Sequence, residues 1–164
     1  MDSAKPFETS LPLLRHAVAT IAYRGGKAIR GVPEGFANFS AGGGTRTPGE
    51  ILAHIADLFD WATSMTKGNP AWNSGASLPW EEGVNRFFSS LKAFDDALAS
   101  DGLVNISGDK LFQGPVADAL THIGQISILR RMAGVHVRAE NYVKADITAG
   151  RVGPEQVQPR MEFD

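Results

Sequence analysis

Apolar residues recur at steps of three and four along four separate stretches of this chain, and no stretch alternates in twos. Helices are therefore the only regular structure the pattern supports. The densest stretch places Trp80, Val84, Phe87, Phe88, Leu91, Phe94 and Leu98 on one face, giving a helix with a heavy aromatic load. Upstream, residues 10–24 set Leu14, Ala17, Val18 and Ile21 at helical spacing. That pattern is expected to fade at Gly25-Gly26 into a Gly/Pro-rich loop reaching Gly44.

The second helix carries the clearest start signal. In Thr47-Pro48-Gly49-Glu50, threonine can cap, proline suits the first helical position and the Glu can reach back to the cap. Its stripe runs through Ile51, Ile55, Leu58, Ala62 and Met65 and breaks at Lys67-Gly68-Asn69-Pro70. After Gly114-Pro115, residues 116–133 are apolar around most of the circumference and end at Gly134, so this fourth helix is expected to be the most buried. Beyond it, Gly150, Gly153-Pro154 and Pro159 separate short apolar patches, which suggests a short helix followed by an extended tail.

A chain of 164 residues with 43% hydrophobic content can bury one sizeable core. The expected architecture is all-α: one domain over 1–164, its four-helix core at about 8–145 and a C-terminal tail over 146–164.

Composition removes several classes of function. Sixteen basic residues against eighteen acidic ones, with no basic run interleaved with aromatics, give no stripe for nucleic acid. There is no cysteine, so thiolate ligands and a cysteine nucleophile are excluded and any thiol must come from outside. The glycine pairs and triplets lack the Gly-Lys-Ser/Thr ending of a phosphate loop, and no Gly-x-Ser-x-Gly elbow is present. With neither a membrane-length apolar stretch nor an apolar leader in MDSAKPFETS, the expected location is the cytoplasm.

Chemistry concentrates on two helices. His54 lies beside Ile51, Ile55 and Leu58 on the second helix, on the stripe that faces inward. On the fourth, Asp118, His122, Gln125, Leu129 and Met132 follow steps of four, three, four and three and form one row. An aspartate and a histidine one turn apart suit a two-point chelate, and His54 from a facing helix could complete an open, three-ligand metal site. Spacing alone equally allows a capped surface face or a hydrogen-bonded His-Asp pair in the core.

The runs TPGEILAHIADLFDWATSM (47–65) and GPVADALTHIGQISILRRMAG (114–134) resemble the DinB/YfiT-like superfamily of metal-dependent four-helix-bundle proteins. The similarity extends in order and spacing over about residues 8–145. It implies that His54, Asp118 and His122-Ile123-Gly124-Gln125 stand at the family's metal-site positions. Asp118 departs from the commoner histidine there, and a carboxylate in its place favours harder metals or weaker binding. The resemblance further implies a divalent ion (nickel, zinc, iron or manganese), a homodimer and a small-molecule substrate. The implied reaction is a thiol-dependent S-transferase one using a low-molecular-weight thiol, with a hydrolase as another metal-assisted possibility. The competing expectation is a non-catalytic bundle whose metal site is structural or vestigial and which acts by dimerisation or partner binding.

Other polar residues have more ordinary readings. Glu50 and Asp57 flank His54 and are candidates to accept its second ring proton or act as a base, although capping already accounts for Glu50. Gln125 is a possible helper or a helix-to-helix bond. His136 and Glu140 are possible extra ligands but more naturally solvent-facing loop residues, and His16 points away from the core. The pairs Glu81-Glu82 and Asp95-Asp96 read as solvated faces.

Overall fold

A computed structural model describes residues 6–100 and 106–163, with side chains from residue 10 onward. Its elements are α1 (Pro6–Ile29), α2 (Pro48–Thr66), α3 (Trp80–Ala99), the single turn α4 (Gly108–Leu111), α5 (Ala117–Met132), and a two-stranded antiparallel ribbon of β1 (Ala139–Glu140) and β2 (Glu162–Phe163). The fold is all-α apart from that ribbon. Helix α1 packs against α3 and α5, and α2 against the same two, so α1 and α2 lie diagonally and α2 adjoins α5. This adjacency brings the two chemistry-bearing helices side by side.

Helix α2 starts where the sequence says it should. Thr47 Oγ1 accepts from the Glu50 amide at 3.3 Å and the Glu50 carboxylate accepts from the Thr47 amide at 2.7 Å, closing a capping box with Pro48 behind it. It is also the most buried of the long helices, contrary to the expectation for the fourth. Thirteen of its residues are buried, whereas α5 buries only Ala119, Ile123, Ile126, Leu129 and Arg130. Arg131 and a run of small and polar residues keep the rest of α5 at the surface.

Helix α1 does not stop at Gly25-Gly26 but continues to Ile29. The reason is tertiary: a Cβ on Gly25 would lie 2.5 Å from Phe87 Cζ, and one on Gly26 would lie 3.4 Å from Phe88 Cζ. The glycines let α3's aromatic ridge approach the α1 backbone, and that packing outweighs glycine's helix penalty of about 1 kcal/mol each. The core that results includes Val18, Ile21, Ile55, Phe59, Phe87, Leu91, Phe94 and Ile126.

Two charges turn inward, one of them against expectation. Asp95, expected on a solvated face, is buried and takes both Nε and Nη2 of Arg15, at 2.9 and 2.8 Å. Arg130, in the last turn of α5, is also buried. It donates to the carbonyls of Ala28, Arg30 and Gly31 at 2.9, 2.6 and 3.2 Å, and to Val135 at 3.1 Å. It thereby satisfies the orphan carbonyls at the end of α1.

No short helix forms among the described residues beyond α5. The tail returns instead as an irregular strap closed by β1 and β2, with Val152 in the core. Glu140 anchors it, its carboxylate accepting from Tyr23 Oη at 2.6 Å and Lys27 Nζ at 2.7 Å. Glu162 pairs with the same Lys27 at 2.7 Å. No helix among the described residues is long and apolar enough to cross a membrane.

Candidate metal centre

Helix α5 enters through an irregular stretch. Pro115 has no amide hydrogen for the α-helical ladder, and residues Phe112–Val116 form a wide π-turn between α4 and α5. The first regular turn after that irregularity carries Asp118, and His122 follows one turn later. His54 comes from the middle of α2, held on that helix by Ile51, Ile55 and Leu58, all of which are buried.

These three side chains converge. Asp118 Oδ2 lies 3.6 Å from His54 Nε2, and Asp118 Oδ1 lies 3.4 Å from His122 Nε2. One ligand atom from each residue falls within 4.8 Å of the others. The imidazole centroids are 4.7 Å apart with the rings nearly perpendicular, so the two rings are not stacked. Bonds near 2.1 Å to a tetrahedral ion place ligand atoms about 3.4 Å apart, and each histidine Nε2 meets a different oxygen of Asp118 at close to that spacing. Separations of 3.4 and 3.6 Å are long for a hydrogen bond but natural for two donors sharing an ion. The group can hold a metal ion.

Tautomer and charge agree with that use. His122 Nδ1 lies 2.7 Å from Gln125 Oε1, and an amide oxygen only accepts, so Nδ1 carries the proton and Nε2 offers its lone pair. Burial first, and the Arg46 charge with it, hold the His54 pKa below the usual histidine value against the pull of Asp118. A neutral imidazole is the form that binds metal. Trp72 meets the His54 ring edge to face at 5.7 Å and meets Trp61 in the same way at 5.6 Å, forming an indole wall on that side.

The site is open. The Asp118 side chain is 46% exposed, while those of His54 and His122 are 20% and 13% exposed. The row Asp118, His122, Gln125, Leu129, Met132 does not run along the core face as a unit. Leu129 is buried, but Met132 is 56% exposed, because the face truly turned inward is Ala119, Ile123, Ile126 and Arg130. The row follows the shoulder of α5, and depressions lie on either side. One of about 440 Å³ is bordered by Leu58, Trp61, Gly114 and Asp118, and another of about 880 Å³ by His122, Gln125 and Ile128.

Other expected participants are placed elsewhere. Asp57 is buried and spent on the Gly75 amide at 3.0 Å and on Arg86 Nη2 at 2.5 Å, so it serves as a fastener for the loop before α3 rather than as a base at His54. Glu50 is engaged by the cap. Glu140 is neither a ligand nor solvated, being enclosed by Tyr23 and Lys27, whereas His136 and His16 are exposed. Phe88 belongs to the core, and Trp61 borders the depression beside Asp118. Sequence reading missed Trp72 and Arg46, which sit in loops where helical periodicity gives no signal. Compared with protein-family models, curated proteins and solved structures, the chain matches none.

Proposed function

We propose that this chain is a divalent-metal-dependent enzyme of the DinB/YfiT-like superfamily, acting on a small molecule with a low-molecular-weight thiol as co-substrate. The observation that supports the metal is the convergence of His54, Asp118 and His122 from two adjacent helices, with Gln125 fixing the His122 tautomer. Two imidazoles and one carboxylate suit zinc, iron, nickel or manganese. When bound, such an ion lowers the pKa of a water or thiol at its open position.

The half-exposed Asp118 and the adjoining depressions favour an open site of catalytic type over a closed structural one. His54 and His122 turn their Nε2 atoms toward Asp118, Gln125 holds the His122 ring in place, and Trp72 packs against the His54 ring. Because the chain has no cysteine, the sulfur nucleophile has to be a co-substrate. In the transfer, a bond forms between the thiol sulfur and an electrophilic carbon, the carbon's leaving group departs with its electron pair, and the thiol proton passes to solvent.

The test is a metal-loaded protein offered several small thiols and a chromogenic aryl halide, beside His122→Ala. Product formation that needs thiol, metal and His122 together is the expected result. Equal rates in wild type and variant would contradict the reading.

A further inference from the structure

The larger depression beside His122 has a composition of its own. Ile51, Ile128, Leu129 and Met132 give it apolar walls, and its volume of about 880 Å³ falls in the range of small-molecule sites, roughly 300–1,000 Å³. Ile128 and Met132 are exposed, an apolar surface that a soluble ligand would cover. Among the residues lining it, only Arg46 carries a permanent charge.

Arg46 reaches this position through local backbone chemistry. Gly42, Gly43 and Gly44 all adopt positive φ, at 82°, 63° and 72°, a run that side-chain-bearing residues rarely sustain. Thr45 closes the bend by donating from its amide and hydroxyl to the Gly42 carbonyl at 3.2 and 2.9 Å. The bend lets Ala41 on one arm and Thr45 and Arg46 on the other border the same cavity, directly before the Thr47 cap of α2. Arg46 also borders the neighbouring depression that contains His54 and Glu50. Glu50 feels the Arg46 charge, yet one of its carboxylate oxygens is committed to the Thr47 amide.

We propose that this cavity binds a small monoanion with an apolar body, its carboxylate held by Arg46 and its body laid along Ile51, Ile128 and Met132 beside His122. The inference deepens the metal reading by naming the ligand class for the cavity that shares His122 with that site, and it rests on that reading only for what happens after binding. Apolar contact supplies most of the affinity and the guanidinium supplies the choice of anion over neutral isostere.

The experiment is calorimetric titration of the full chain with octanoate and with octanol. Wild type, Arg46→Gln and Met132→Glu are each measured metal-loaded and after chelation, with metal content determined on the same samples. The expected result is octanoate binding about tenfold or more tighter than octanol in wild type, that preference lost in Arg46→Gln, and both ligands weakened in Met132→Glu. Retained octanol binding by Arg46→Gln shows that the cavity is still folded. Equal affinities in wild type, no binding of either ligand, or an octanoate preference that survives Arg46→Gln and disappears on chelation would each overturn the assignment, the last by placing the carboxylate on the ion. If the preference for octanoate follows Arg46 while the protein carries no metal, this inference stands and the metal reading falls.

Discussion

Two polar clusters of this bundle are each gathered around a carboxylate and finished in opposite ways. At the Tyr23–Lys27–Glu140–Glu162 cluster every contact is a full hydrogen bond or ion pair of 2.6 to 2.7 Å, and the Glu140 side chain is completely enclosed. At His54–Asp118–His122 the contacts are 3.4 and 3.6 Å and the carboxylate is half exposed. The first cluster has spent its donors and acceptors on itself, which is what holding a strap requires. The second keeps lone pairs unspent and aimed at a common point, which contributes little to folding and is what binding a cation requires.

The largest expected effect lies on the saturated side. Arg130→Ala leaves several carbonyls at the end of α1 without a donor and should cost about 4 kcal/mol in urea unfolding, while the metal content of the folded protein stays at the wild-type level. Gly25→Ala comes next. Its methyl would press on Phe87, and a loss of about 2 kcal/mol by the same measurement, again with metal retained, separates packing from the site.

Alkaline pH should reveal the saturated cluster too. Burial and the bond to Glu140 push the Tyr23 phenol well above its ordinary value, so the unfolded chain loses that proton first as pH rises. For Lys27 burial works the other way, but the bonds to Glu140 and Glu162 prevail and its pKa is raised as well. Both contributions are complete below about pH 10 and diminish as pH climbs past it toward the folded-state values. Chemical unfolding from pH 8 to 11.5 should show stability falling less steeply in Tyr23→Phe than in wild type.

On the unsaturated side the smallest change is Gln125→Ala. It should leave stability within about 0.5 kcal/mol, since Gln125 is exposed, yet weaken metal affinity about tenfold by freeing the His122 ring. A competition titration with a chromogenic chelator reads that difference, and unchanged affinity would remove Gln125 from the site.

The same division explains what could be read from the sequence. Helix α2 was legible to the residue because its capping box and stripe are local. The spacing of Asp118, His122 and Gln125 is also local, so those residues could be read as one row, but spacing alone left metal ligation and a hydrogen-bonded His-Asp pair equally open. What escaped depends on contacts between distant segments. Gly25-Gly26 reads as a helix end until Phe87 and Phe88 are laid against it. Asp95 and Glu140 read as surface charges until Arg15, Tyr23 and Lys27 are brought to them, and nothing local announces that Arg130 is buried on the carbonyls of α1. The strap after α5 has no periodicity to read, and its place is set by Glu140 and Val152 rather than by a helix of its own.

The most direct measurement is metal content per chain, by elemental mass spectrometry on untagged protein purified without chelator, beside His54→Ala and Asp118→Ala. The account predicts about one divalent ion per wild-type chain, lost from both variants while their helical circular dichroism is kept. Wild-type protein that takes up no metal even after reconstitution, or variants that retain it, would contradict the account.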